Sequence, residues 1–111
     1  MGVKLSVTTR GEAGSADDER AVTLDDYVIL FGRHNECQVV LAQQAVSRNH
    51  ARISREGALY FLEDLNSTYG TYVNGSQIPA GEKRLLRKGD IIGIGQFDVV
   101  FDKAADVRLE G

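Results

Sequence analysis

The chain has 111 residues, of which 42% are hydrophobic and 26% charged, with a formal net charge of −3. That is enough for one domain with its own core and an ordinary charged surface. The acidic balance excludes a globally cationic nucleic-acid binder, so any anion site must be a local concentration of positive charge; no apolar run approaches the ~18 residues of a membrane span.

In chain order, the start "MGVKLSVTTRG" lacks the long apolar stretch of a secretory signal. "MGVKLS" fits the loose myristoylation pattern, but the alternation of Val3, Leu5 and Val7 reads as a strand. Residues 10–20, "RGEAGSADDER", are small, polar and acidic and are expected to form an exposed loop between the first two strands. Apolar runs then follow at Tyr27–Phe31, Val39–Leu41, Leu59–Leu62 and Ile91–Ile94, with alternation at 51–54 and 97–101. The period is two, not 3.6. Gly, Asn and Asp turns separate the strands every ~8–12 residues, which predicts an all-β, two-sheet sandwich or barrel. "REG" at 55–57, "VNGS" at 73–76 and "RKGD" at 87–90 read as tight turns, and "GIG" at 93–95 as the turn between the last two strands. The tail 103–111 is at best weakly helical. One domain is expected over 1–111, its core at about 3–102.

Cys37 is the one cysteine. It has no disulfide partner and no neighbours at metal-ligand spacing, so it reads as a partly buried structural thiol in a protein of a reducing, cytoplasmic compartment. No metal or cofactor is expected.

Three segments have the residue types for chemistry. "FGRHNEC" places Gly32 and Arg33 just past a strand, where the arginine can project from a loop. "AVSRNHARI" places Ser47, Arg48 and His50 within four positions. No Gly-x-Ser-x-Gly elbow and no dedicated carboxylate accompany them, so a hydrolase is disfavoured; an anion-holding loop and a plain polar turn remain. "EDLNSTYGTYVNGSQI" carries the hydroxyls Ser67, Thr68 and Thr71 around Gly70. Gly70 and Gly75 have P-loop spacing, but Ser76 stands where the lysine belongs and no helix pattern follows, so nucleotide binding is rejected. Hydroxyls and freed backbone N–H groups are what an anion-holding loop needs. "NST" at 66–68 is a glycosylation sequon without a secretory context, and "KRLLRK" at 83–88 reads as a solvated cationic face rather than a nucleic-acid patch.

Taken together, Gly32-Arg33, then Ser47-Arg48-Asn49-His50, then Asp64 through Gly75, with "KGDIIGIG" near the end, resemble the forkhead-associated (FHA) domain over about residues 3–102. The resemblance implies an FHA/SMAD-like sandwich of about eleven strands that binds phosphothreonine peptides on the loops at one end. It implies no catalysis. By position, Arg33 would bind the phosphate, Ser47 would donate its hydroxyl, Arg48 would add charge or a backbone N–H, and Ser67, Thr68 and Tyr69 would complete the phosphopeptide-binding set. Gly32, His50, Gly70, Asn74 and Gly75 would shape the loops. The implied partner is a protein marked by a Ser/Thr kinase, with no nucleic acid or membrane involved. In some bacterial relatives a phosphorylated N-terminal threonine folds back into this site, which singles out Thr8 and Thr9. One departure stands out: the family's usual Asn in the Ser-Thr-Asn-Gly-Thr run, which hydrogen-bonds the peptide backbone, is Tyr69 here. A phosphate brings about −1.5 to −2 charges and three acceptor oxygens, and a guanidinium fork is its best-matched partner, so the net acidity is no obstacle.

Overall fold

A computed structural model of the chain describes residues 3–9, 20–24 and 28–102. The predicted loop at 10–20 up to its last residue, Tyr27, Met1 and Gly2 of the myristoylation-like start, and the tail at 103–111 lie outside the described residues. The described residues are all β, with no helix long and apolar enough to cross a membrane.

Eleven strands are described: β1 Val3–Thr9, β2 Arg20–Leu24, β3 Val28–Gly32, β4 Val39–Val40, β5 Ala51–Glu56, β6 Leu59–Asp64, β7 Thr71–Val73, β8 Ser76–Gln77, β9 Arg84–Leu85, β10 Ile91–Ile94 and β11 Phe97–Asp102. They form a six-stranded sheet of order β2-β1-β11-β10-β7-β8 and a five-stranded sheet of order β4-β3-β5-β6-β9. All pairings are antiparallel except β3 with β4.

Two-residue alternation does the sorting that two sheets packed face to face require. On β5, Ala51 and Ile53 point inward; on β11, Phe97, Val99 and Phe101 do; on β10, Ile92 and Ile94 do. Leu5, Val7, Ile29, Phe31, Leu41 and Leu62 complete the middle of the core. Tyr60 tilts against Phe101 with ring centroids 5.5 Å apart, an edge-to-face style contact between the two sheets.

The Asn-Gly signal is realised as a two-residue turn. Val73 pairs with Ser76, and both Asn74 (φ 51°) and Gly75 (φ 88°) adopt the left-handed conformation that a type I′ hairpin needs. The Asn74 side chain then fastens this tip to the next turn, accepting from Ile91 N–H (3.0 Å) and donating to Asp90 (3.0 Å). The turn expected at 93–95 is shorter than predicted. Gly93 and Ile94 belong to β10, paired to Asp98 and Phe97, so only Gly95 and Gln96 make the bend. Within "KRLLRK", Arg84 and Leu85 form β9 on the edge of β6 and Leu86 is buried, while the four cations stay exposed.

The strand directions separate two groups of loops. The turns at 57–58, 74–75 and 87–90 lie at one end. The loops β3–β4, β4–β5 and β6–β7 and the β10–β11 turn gather at the other. Thr8 and Thr9 sit at that second end, within β1 and paired with Asp98 and Phe97.

Candidate functional site

The three loops at this end are stitched by backbone. Arg33 N–H donates to the Ser47 carbonyl (3.0 Å) and His34 N–H to the Arg48 carbonyl (3.3 Å). His50 N–H donates to Phe31, and Leu65 N–H to His50. The β4–β5 loop is also clipped to the β10–β11 turn: Gln43 accepts from Gln96 N–H (3.0 Å) and donates to the Gln96 side chain (3.1 Å). Gly32 permits this approach of the arginine loop to the serine loop. A Cβ there would stand 2.0 Å from the Arg48 carbonyl oxygen, so the arginine loop and the serine loop can touch only over a glycine.

His50 is fully buried and braces two loops at once. Its Nδ1 accepts from Ser47 N–H (3.0 Å). The proton is therefore on Nε2, which donates to the Gly70 carbonyl (2.8 Å). Burial holds the imidazole below histidine's usual range, against the opposing pull of the Gly70 carbonyl and the Asp64 charge. Both ring nitrogens are engaged and neither faces the Ser47 hydroxyl, so this histidine is not placed as that serine's base.

Asp64 organises the third loop from below. It is buried, and its Oδ1 accepts from the Ser67 and Thr71 hydroxyls at 2.5 Å each, while its Oδ2 accepts from Ser67 N–H (3.1 Å). Burial alone would raise this carboxyl, but the hydrogen bonds from Ser67 and Thr71 outweigh it and hold the group below the usual carboxylate range. In the sequence Asp64 stands within the motif with no evident role; the available signal is the hydroxyls of Ser67 and Thr71 within seven residues of one carboxylate.

The hydroxyls that look alike in sequence divide here. The single proton of the Ser67 hydroxyl goes inward to Asp64, and its oxygen accepts from Gly70 N–H (2.9 Å). Ser67, grouped in sequence with the phosphopeptide-binding residues, is thus committed to shaping the loop. Thr68 is exposed, and its N–H donates to the Ser47 hydroxyl oxygen (3.0 Å). A hydroxyl that accepts there still has its own proton to give. Arg33 and Arg48 are exposed, and neither side chain has an acidic partner among the described residues. Tyr69 stands 64% exposed and leaves Arg33 and Thr68 open; it shares a shallow depression with Arg33, Gln44 and Ala45. Arg33, Ser47 and Thr68 therefore converge, with Tyr69 on their rim. Gly70 is buried beneath, whereas Asn74 and Gly75 shape the hairpin at the opposite end. Cys37 is buried behind the arginine loop, its thiol 3.4 Å from the Arg48 carbonyl and pushed up by burial.

The FHA domain family model matches residues 29–95, which span all three loops. The chain belongs to the FHA domain family. Among curated relatives, an oxoglutarate dehydrogenase inhibitor of Corynebacterium jeikeium is 39% identical over 90% of this chain and 65% of its own length. The glycogen accumulation regulator GarA of Mycolicibacterium smegmatis is 36% identical over 90% of this chain and 59% of its own. The chain thus spans less than two thirds of the length of these relatives. A solved structure described in terms of phosphothreonine-dependent FHA domain interactions superposes with a TM-score of 0.74 at 28% identity, covering 92% of this chain and 96% of that one. The all-β two-sheet sandwich is the FHA fold, and the FHA-matched region carries every loop residue described above except Gln96.

Acid should loosen this FHA site, and the sign follows from the two shifted groups. Both fold with depressed proton affinity, so wherever they titrate the unfolded chain binds more protons and stability is lost as the pH is lowered. For His50 the loss begins as pH drops through the ordinary 6.5; for Asp64 it begins near 3.8. Urea midpoints are expected to fall between about pH 7.5 and about pH 5.5, and His50→Gln should flatten that slope while lowering stability at pH 7.5. Asp64→Asn should cost about 1–2 kcal/mol by turning a charge-assisted acceptor into a neutral one.

Proposed function

We propose that this FHA domain is a non-catalytic recruiting module that binds phosphothreonine in a partner protein after a Ser/Thr kinase has acted on it. Arg33 pairs with the phosphate, Arg48 adds charge, and Ser47 and Thr68 supply hydroxyl donors. Ser67, Gly70 and His50 hold the loops in place. One observation carries this reading: the Ser47 hydroxyl accepts from Thr68 N–H (3.0 Å), which leaves its proton to be donated beside the exposed Arg33. An O–H donor next to an open guanidinium suits a tetrahedral dianion better than it suits a neutral side chain. The phosphothreonine-dependent FHA structure supports this class of activity, and the names of the oxoglutarate dehydrogenase inhibitor and the glycogen accumulation regulator, both regulatory, suit a recruiting module.

A scaffold role that needs no phosphate is the second reading. Tyr69 favours it, because the usual amide at that position is missing and peptide backbone recognition is altered. Fluorescence anisotropy separates the two, using a degenerate phosphothreonine peptide library with its phosphoserine and unphosphorylated counterparts. Saturable binding of the phosphothreonine pool alone is expected; equal binding of the unphosphorylated pool would favour the scaffold. Ser47→Ala should weaken phosphopeptide binding by roughly tenfold or more, since a hydrogen bond to a charged group is worth ~1.5–3 kcal/mol.

A further inference from the structure

A second surface adjoins the phosphate loops. A groove leaves them at Ala45, Tyr69 and Gln96 and follows β10 down the outer face of the six-stranded sheet, past Tyr72 and Gly93 to Ile91. Six large apolar side chains are exposed among the described residues, and three of them line this one groove: Tyr69 at 64%, Tyr72 at 37% and Ile91 at 42%. Tyr69 belongs both to the groove and to the depression that holds Arg33, so the two surfaces are continuous.

Gly93 makes the groove's floor. It alternates with the core residues Ile92 and Ile94, so its position faces outward, between Tyr72 and Asp98 in the sheet. It has no positive φ that would call for glycine. A glycine inside a regular strand weakens it and commonly marks close approach by another chain. β10 is an interior strand, hydrogen-bonded on both sides to β7 and β11. A visitor therefore cannot add as a further strand here and must be held by side-chain packing.

We propose that this groove receives an extended apolar segment of the same phosphorylated partner, running off the phosphate loops past Tyr69 and along the outer face of β10. The inference rests on the phosphothreonine reading above. Continuity with the loop site supplies the occupant: a chain anchored by its phosphate beside Arg33 has the groove as its neighbouring apolar surface. Selectivity that the family's usual Asn would exert on the peptide backbone is then exerted farther along, on aliphatic or aromatic side chains.

Three phosphothreonine peptide pools test this by anisotropy. One is trimmed to the immediate neighbours of the phosphothreonine. Two are extended on both sides, one with Leu, Ile and Phe and the other with Ser and Gly. On the unaltered chain the apolar extended pool should bind about tenfold tighter than the polar one, the surplus left once burial of an apolar side chain has offset the cost of ordering the peptide. Tyr72→Ser and Ile91→Ser should each erase most of that advantage and leave the trimmed pool's affinity unchanged, which also shows that the variants fold. Gly93→Val, a residue suited to strands, should do the same by filling the floor. Equal binding of the two extended pools, or an advantage that survives both serine variants, overturns the groove while leaving the phosphothreonine site intact. Failure of the trimmed pool to bind the unaltered chain overturns the phosphothreonine reading and this inference with it.

Discussion

Arg33→Ala is expected to weaken phosphothreonine-peptide binding by ~2–5 kcal/mol, roughly 30-fold to several thousand-fold, because the phosphate would lose its main charge partner. The side chain is exposed, so the fold should be unaffected and the thermal midpoint should move by no more than about 2–4 °C. The guanidinium is open because its own backbone, not its side chain, ties the loop to Ser47 (3.0 Å). Arg33→Lys should recover only part of the loss, since a point charge cannot make the two parallel bonds of a guanidinium fork. Unchanged affinity in Arg33→Ala, measured by anisotropy or calorimetry, would place the phosphate elsewhere.

Gly32→Ala is expected to damage fold and binding together. The new methyl would meet the Arg48 carbonyl oxygen at 2.0 Å, and neither partner is a flexible side-chain end. The serine loop would have to move away from the arginine loop, breaking the contacts of Arg33 N–H and His34 N–H. Overpacking of this kind costs ~1–3 kcal/mol, and with backbone on both sides the upper end is expected. Urea denaturation measures the first effect. Phosphopeptide affinity measured well below the midpoint measures the second, and should fall at least about tenfold even in the folded fraction. A stable Gly32→Ala variant with full affinity would mean that the two loops need not touch.

Much of the architecture was legible because period-two patterning is a direct consequence of burying one face of a strand. Val3, Leu5 and Val7, and Phe97, Val99 and Phe101, announce β1 and β11 by alternation alone. Asn74-Gly75 announces its hairpin because few other pairs tolerate two consecutive left-handed residues. One short strand was not legible: β9 has two residues, defined by their partners Phe61 and Leu62 on β6, and two residues carry no period. That is why Arg84 and Leu85 read as part of a charged run.

The site was legible as a set of residue types, less so as a division of labour. Gly32, Arg33, Ser47 and His50 lie on or beside loops at one end of the sandwich, tied together by backbone contacts. Ser67, Thr68 and Thr71 are indistinguishable as a hydroxyl-rich run until the fold turns two of them toward the buried Asp64 and leaves one outside. Which hydroxyl faces in depends on the backbone of the β6–β7 loop, and no local pattern reports that. The Gln43–Gln96 clip joins loops 53 residues apart, and neither glutamine has a feature in sequence that points to the other.

The most direct test is an NMR titration of the isotopically labelled chain, following backbone amides as the phosphothreonine peptide pool is added. The amides of Arg33, Ser47, Arg48, Thr68 and Tyr69 should shift and saturate together, and the unphosphorylated pool should leave them in place. Shifts confined to other surfaces, or the same shifts with the unphosphorylated pool, would contradict a phosphothreonine site built on these loops.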